Sequence, residues 1–444
     1  MGNANTRLLQ RHSRLALALL LLYIGRKLLG RSIASIFMRW HLLRAAETPR
    51  LVYRSTDGNK KLLAHCPTIT KHKYYPPWRL FNGHLQTVRF AYDERGPEIN
   101  YKRQLLRLPD GGVVSLDWAL LHAQDAPAQV GDLNKSVSAS STWLPDVEPA
   151  RRTVILLPGL TGGSPENYIR STIARLHELG WQCVVLNARG CANTPVKTAQ
   201  LFCSAYTGDL RFVLQQLSEK YEFAKEAFVG VGFSMGSNVL VKYLGEEGDK
   251  APLTGAVSVG NPFDLAICSA NFGGSLFNRM TYDKALNSNL RELFFNKCNA
   301  AEHFVDFPGV DLEAIKASRT VRDFDDTLTK YVFHYNTVDD YYNDAGSVKK
   351  LGDVRVPLLC INAEDDPISI SSALPKDDEV RSNPNVILCT TKSGGHLAFY
   401  ESSLRDHAEQ ENNKSQSKKQ SNMWTVNPIA EFAEAVRLNK VENV

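Results

Sequence analysis

Two spacings of apolar residues alternate along most of the chain. Short apolar runs of four or five residues recur at 154–157, 183–186, 228–231, 256–259, 358–361 and 386–390. Continuous runs of this length, rich in Val, Ile and Leu, predict strands buried on both faces of a sheet. Between them, 168–179, 210–220 and 238–245 carry apolar residues at the three- and four-residue spacing of a helix with one buried face. Strands alternating with helices predict an α/β fold, a mostly parallel central sheet with helices on both faces. Upstream, 105–108 and 113–118 flank a turn at 109–112 and predict a β-hairpin.

Three stretches break this rhythm. Residues 262–350 are helical in pattern and aromatic, which predicts an inserted cap. Residues 123–150, rich in Ala, Ser, Pro and Asp, and 404–422, polar and of low complexity, predict surface loops. Residues 47–100 are mixed, with a Pro- and aromatic-rich stretch at 74–78. The domain reading is a basic N-terminal segment over 1–46 followed by one α/β domain over 47–444.

The N-terminal segment has its own pattern. The run LALALLLLYIG at 15–25 would span about 16 Å as a helix, against a bilayer core of roughly 30 Å. Arg14, Arg26 and Lys27 flank it and could snorkel to lengthen the span. Beyond it, Leu29, Ile33, Ile36, Phe37, Trp40 and Leu43 share one helical face opposite Lys27, Arg31 and Arg39, the pattern of an interfacial basic helix. A single-pass or interfacial membrane anchor, in an endomembrane, is the expectation. Myristoylation of Gly2 in M-G-N-A-N-T, a cleaved Arg-rich transit peptide and a cleaved secretory peptide are the alternatives. Basic residues flank the run almost equally, so no orientation follows.

Composition narrows the partners. The chain of 444 residues is 43% hydrophobic and 22% charged, an ordinary globular balance. Its net charge of +5 belongs to the N-terminus, where residues 1–46 hold eight basic groups and no acid. The body therefore has no nucleic-acid signature. Eight cysteines are scattered without a C-x-x-C pair, so neither a disulfide framework nor a zinc site is indicated. That leans towards a reducing compartment for the body, while sequons at Asn134 and Asn413 lean weakly the other way. The sequence is silent on oligomeric state.

The chemistry centres on "VGVGFSMGSNVLVKYLG" at 229–245, where a strand-like run hands over to a helical one through G-x-S-x-G. Gly232 and Gly236 would free space for Ser234 in a strained turn, the context of a nucleophile elbow. A serine nucleophile needs a base, and the base needs a carboxylate that orients it. The run 358–361 leads into Asp365 and Asp366, and 386–390 leads into His396, so both fall just past strand ends, in the order this architecture requires. Asp366 is the preferred acid, with Asp365 as alternative. The oxyanion hole would use the amides of Met235 and Leu160, with Thr161 as runner-up, in a loop that Gly159, Gly162 and Gly163 open to substrate. His334 and Asp339 form an H-x-x-x-x-D string read as coincidental. The Gly-rich 159–163 lacks the G-K-[ST] of a phosphate loop, and His65, His72 and His84 are too irregular for a metal set.

These residues resemble the α/β-hydrolase superfamily and, within it, the AB hydrolase 4 family. The likeness runs from about residue 74 to 438. It is carried by YYPPWRLFNGHLQT at 74–87, LNARGCANTPVKTAQLFCSAYTGDL at 186–210, the segment around Ser234, and DDYYNDAGS at 339–347. It implies a Ser–His–Asp hydrolase of acyl esters, with Ser234, His396 and Asp366 as triad, His84 in a positioning role and no metal or organic cofactor. Family members include membrane-tethered lipases and bacterial short-chain esterases. The expected activity is hydrolysis of carboxylic esters in membrane glycerolipids or phospholipids. Acyl transfer or thioester cleavage by the same nucleophile, short-chain esterase activity, and a non-enzymatic scaffold are the rivals. Expansion at 123–150 and insertion at 404–422 depart from the family, so substrate size does not carry over.

Overall fold

The computed structural model describes residues 45–121, 144, 146–402 and 423–441. Its centre is a nine-stranded sheet in the order β1-β9-β8-β7-β6-β4-β5-β3-β2. The six inner strands are parallel: β4 (Thr153–Leu157), β5 (Gln182–Asn187), β6 (Phe228–Phe233), β7 (Gly255–Val259), β8 (Leu358–Ala363) and β9 (Val386–Thr391). Each contains one of the apolar runs read from the sequence and extends it by one or two residues. The hairpin is present as β2 (Lys102–Arg107) and β3 (Val113–Ala119), with β3 antiparallel to β5. β1 (Arg50–Tyr53) lies antiparallel to β9 at the opposite edge. That strand lies in the stretch read as mixed: it is four residues long, and a pattern this short needs its partner to declare itself.

Alternate residues of each inner strand enter different cores. Val154 and Leu156 join Val185, Val231 and Ile361 on one face, while Ile155 and Leu157 join Val184, Phe228 and Leu358 on the other. That division by twos is what a strand buried on both sides requires. One face is covered by α1 (Asp57–Ala64), α3 (Asn167–Glu178) and α9 (Val426–Val441), the other by α4 (Gly208–Lys220) and α5 (Met235–Glu247). The helix α2 (Gly83–Ala91) starts at Asn82, whose side chain accepts the Leu85 N–H.

Between β7 and β8 the chain forms α6 (Leu265–Gly274), α7 (Lys284–Glu292), α8 (Val338–Ala345) and shorter turns, several of them π-helical, at Arg279–Asp283, Leu293–Lys297 and Asp325–Thr329. Phe294, Phe304 and Phe324 of this segment cluster with Val196 and Leu201 from before it, while Val338, Tyr341 and Tyr342 of α8 pack with Cys203 and Ala205. Segment 262–350 is therefore an excursion from one strand end to the next. Most of 123–150, all of 404–422 with both sequons, and all but the last two residues of 1–46 lie outside the described residues. The expected single-pass anchor falls there; among the described residues no helix is long and apolar enough to cross a membrane.

Candidate active site

The order of the parallel strands reverses at β4. The chain runs from β4 outward to β5, then crosses back to β6 on the other side of β4. Such a switch leaves a crevice at the C-terminal strand ends. Ser234 follows β6 and Leu160 follows β4, so the two stand on either side of it.

Ser234 sits at φ +50° and ψ −119°, a conformation that costs an L-residue roughly 1–3 kcal/mol and persists only when its surroundings hold it. They do: its N–H donates to Val259 O at 2.9 Å, and its carbonyl accepts from Ser237 N, Ser237 Oγ and Asn238 N. The flanking glycines are required by space. A Cβ on Gly232 would lie 2.5 Å from Ser237 Cα, and one on Gly236 would lie 2.4 Å from the carbonyl oxygens of Leu157 and Pro158. The serine is thus pushed out at the head of α5, where the helix dipole favours developing negative charge.

His396 Nε2 lies 2.8 Å from Ser234 Oγ, and His396 Nδ1 lies 2.9 Å from Asp366 Oδ2. The other carboxylate oxygen, Oδ1, accepts the N–H groups of Ile368 and Ser369 at 2.8 and 2.9 Å. Asp366 is therefore fixed at both oxygens and buried. Asp365 does different work. Its Oδ1 accepts the Gly395 N–H at 2.9 Å, tying its loop to that of the histidine. Burial raises the Asp365 carboxyl above its usual range, against the opposing pull of the Gly395 amide.

Leu160 and Met235 line the same cavity as Ser234 and His396. Among the described residues, neither of their backbone N–H groups donates to a protein acceptor outside its own helix or strand, which suits both to a substrate oxygen. Thr161, the runner-up, adopts φ +58°. Gly159 donates its own N–H to Tyr168 Oη at 2.9 Å, which fixes the loop. The cavity continues under segment 262–350, walled by Phe272, Leu286, Leu290, Phe304, Phe324, Leu328 and Phe333.

Several supports had no signal in the sequence. Thr87 Oγ1 accepts the His396 N–H at 2.8 Å and donates to Gly83 O at 2.7 Å, so α2 props the histidine. Gly83 itself abuts the acid loop, where an added Cβ would lie 1.9 Å from Asp365 O. Asp325, buried in the cavity wall, accepts from Thr329 Oγ1 and Tyr342 Oη, and burial lifts its carboxyl to about 6. Thr87 lies inside the 74–87 stretch, but only its fold position shows what it holds.

Two other histidine readings part from this centre. His84 is exposed on α2, its Nδ1 2.8 Å from Tyr282 Oη and its ring edge-on to Phe277. Asp339 of the H-x-x-x-x-D string is occupied by Arg322 at 2.9 Å on the surface. No group of three or more potential metal ligands occurs among the described residues.

A sequence model of the alpha/beta hydrolase fold matches residues 152–403. The chain is 36% identical over 346 residues to the embryogenesis-associated protein EMB8 of Picea glauca, covering 77% of this chain and 70% of that one. It is 34% identical over 379 residues to phospholipase ABHD3 of Homo sapiens, covering 84% of each. It is 33% identical over 342 residues to a monoacylglycerol lipase of Saccharomyces cerevisiae, covering 72% of this chain and 75% of that one.

Proposed function

This chain belongs to the α/β-hydrolase fold family, and on that premise we propose that it is a serine hydrolase of carboxylic esters in membrane glycerolipids or phospholipids. The observation that carries the reading is the bonded sequence Ser234–His396–Asp366 opening into an apolar cavity. In the proposed reaction Ser234 Oγ attacks the ester carbonyl while His396 Nε2 takes its proton. The Leu160 and Met235 amides receive the oxyanion, and Asp366 orients the imidazole and stabilises its cation. The proton then passes to the departing alcohol, leaving an acyl-enzyme. Water, deprotonated by His396, attacks that ester and restores Ser234.

The names of the phospholipase and the monoacylglycerol lipase support a lipid ester as substrate. So does the aromatic wall of the cavity, which suits an acyl chain. Segment 262–350 acts as the cap in this reading, and the basic, apolar segment 1–46 holds the protein at an endomembrane. The test pairs two measurements on wild-type and Ser234→Ala protein. A fluorophosphonate probe should label only the wild type, and cells carrying wild type should differ from the variant in glycerolipid or phospholipid species. Ser234-independent labelling would overturn the nucleophile; unchanged lipids despite labelling would overturn the substrate class. Transfer of the acyl group to an added alcohol without release of fatty acid would replace hydrolysis by acyl transfer.

A further inference from the structure

Helix α2 shows an unusual face. Leu85 and Val88 share one side of the helix, with Phe81 just before its N-cap and Tyr92 at its C-cap, and Phe81, Leu85, Val88 and Tyr92 are 61, 39, 46 and 79% exposed. A buried face would be the ordinary use of such a stripe, but here the buried side of α2 is the polar one, with Gln86 and Thr87 turned towards the histidine loop. Leu276, Phe277 and Met280, just beyond α6, are 74, 54 and 63% exposed. His84 joins the two groups, lying 5.3 Å from Phe277 ring to ring and bonded to Tyr282. The result is one continuous apolar surface from two elements, a feature that marks an interaction site in a folded chain.

Its charge identifies the partner. From residue 71 to 92 the chain holds Lys71, Lys73, Arg79 and Arg89 and no acid, and from 265 to 282 it holds Arg279 and no acid. Of the two acids that bound the second stretch, Asp264 is half-buried and caps the Ile267 N–H, and Asp283 is buried against the Val321 N–H. Arg79 and Arg279 are exposed, while Arg89 faces Asp93 at 3.8 Å and Glu94 is the exposed acid just past Tyr92. Apolar side chains with exposed arginines beside them suit a surface of anionic headgroups over hydrocarbon. A second copy of this face would meet like charge.

The chain outside the described residues points the same way. Residues 15–44, apolar and basic, join the body at Ala45. Two residues on, Glu47 exchanges both backbone hydrogen bonds with Tyr74, at 3.0 and 2.7 Å, where the acid-free stretch leads towards α2. Glu47 also accepts the N–H groups of Lys392 and Ser393, shortly before His396. The described chain therefore begins next to the histidine loop and to the stretch of chain that leads into α2.

We propose that α2 and the 276–282 turn form a second membrane contact, an apolar face that docks onto an anionic bilayer. The inference goes beyond the ester-hydrolase reading and is tested without turnover, so the two can fail separately. Amide hydrogen exchange is followed in full-length protein, free and bound to vesicles of phosphatidylcholine with phosphatidylserine. Peptides covering 83–92 and 276–282 should exchange at least about tenfold more slowly on the vesicles, and less so on phosphatidylcholine alone. The double variant Phe277→Glu/Met280→Glu, and separately Leu85→Glu, should keep their melting temperatures and lose that protection while residues 1–44 still hold them to the vesicle. Unchanged exchange in vesicle-bound wild type would overturn the proposal. So would protection in free protein that grows with concentration, which would mark a second copy. Protection already present in dilute free protein would mean that the chain covers this face itself.

Discussion

The strand ends around Ser234 and the helical segment 262–350 meet across one cavity but are held by different forces. At the strand ends every reacting side chain is fixed by directional bonds: Asp366 by two amides and His396 Nδ1, His396 by Thr87 and Asp366. In the helical segment, order comes from ring packing, with Phe294 against Phe295, Phe304 and Phe324 at centroid distances of 4.9, 5.3 and 6.2 Å. Hydrogen bonds fix positions and angles, whereas packing fixes a volume that several side-chain sets can fill. In the proposed reaction the first region would govern whether an ester bond breaks, and the second which acyl group is present when it does.

That contrast breaks most sharply at the paired aspartates. Asp366→Asn should lower kcat on a soluble short-chain ester by about 10⁴, the scale for a histidine deprived of its orienting carboxylate. Asp365→Asn keeps an oxygen able to accept the Gly395 N–H and should cost less than about tenfold; equal losses would return the acid assignment to open choice. Asp325 gives the next largest effect. Its carboxyl stands at about 6 against an ordinary 3.8, because burial outweighs its bonds to Thr329 and Tyr342 and the field of Arg322, with Asp283 adding to the rise. The folded state then holds a proton that the unfolded state releases between those values, so stability falls as pH rises from about 4 to 6. Asp325→Asn should flatten that part of the curve by about 2–3 kcal/mol, read as the difference between the two melting-temperature profiles.

Alanine in place of glycine tests the two regions with one chemistry. Gly236→Ala would drive a Cβ into two backbone carbonyls and should cost roughly 1–3 kcal/mol in thermal unfolding. Gly273→Ala, in α6 with nothing within 4 Å of the added Cβ, should instead raise stability by about 0.5–1 kcal/mol through helix propensity. The last effect concerns selection. Leu328→Trp fills the cavity wall and should lower kcat/KM for long-chain esters by about tenfold while short esters change little. Equal loss on both chain lengths would mean that the helical segment does not sort substrates.

Much of this was legible because it is local. A two-sided buried strand must be continuously apolar, so all six inner strands could be read, and the sharp turn after β6 needs glycine on both sides of Ser234. The order serine, aspartate, histidine follows from strand order in the same way. β1 escaped because four residues with a half-exposed pattern carry no period. Thr87 escaped because a threonine inside an amphipathic helix has no local mark of the loop it supports. The exposed stripe of α2 is written in the sequence, yet the same spacing would describe a buried face.

The sequence by itself determined the sheet, the serine turn and the set of residues able to act there, since backbone bonding and steric exclusion depend on near neighbours. Only the tertiary structure decided that Asp366 rather than Asp365 reaches His396, that Thr87 and Gly83 brace their loops, and that the apolar side of α2 faces outward. Those are relations between segments up to some three hundred residues apart, and such distances are fixed by how the whole sheet and its helices pack.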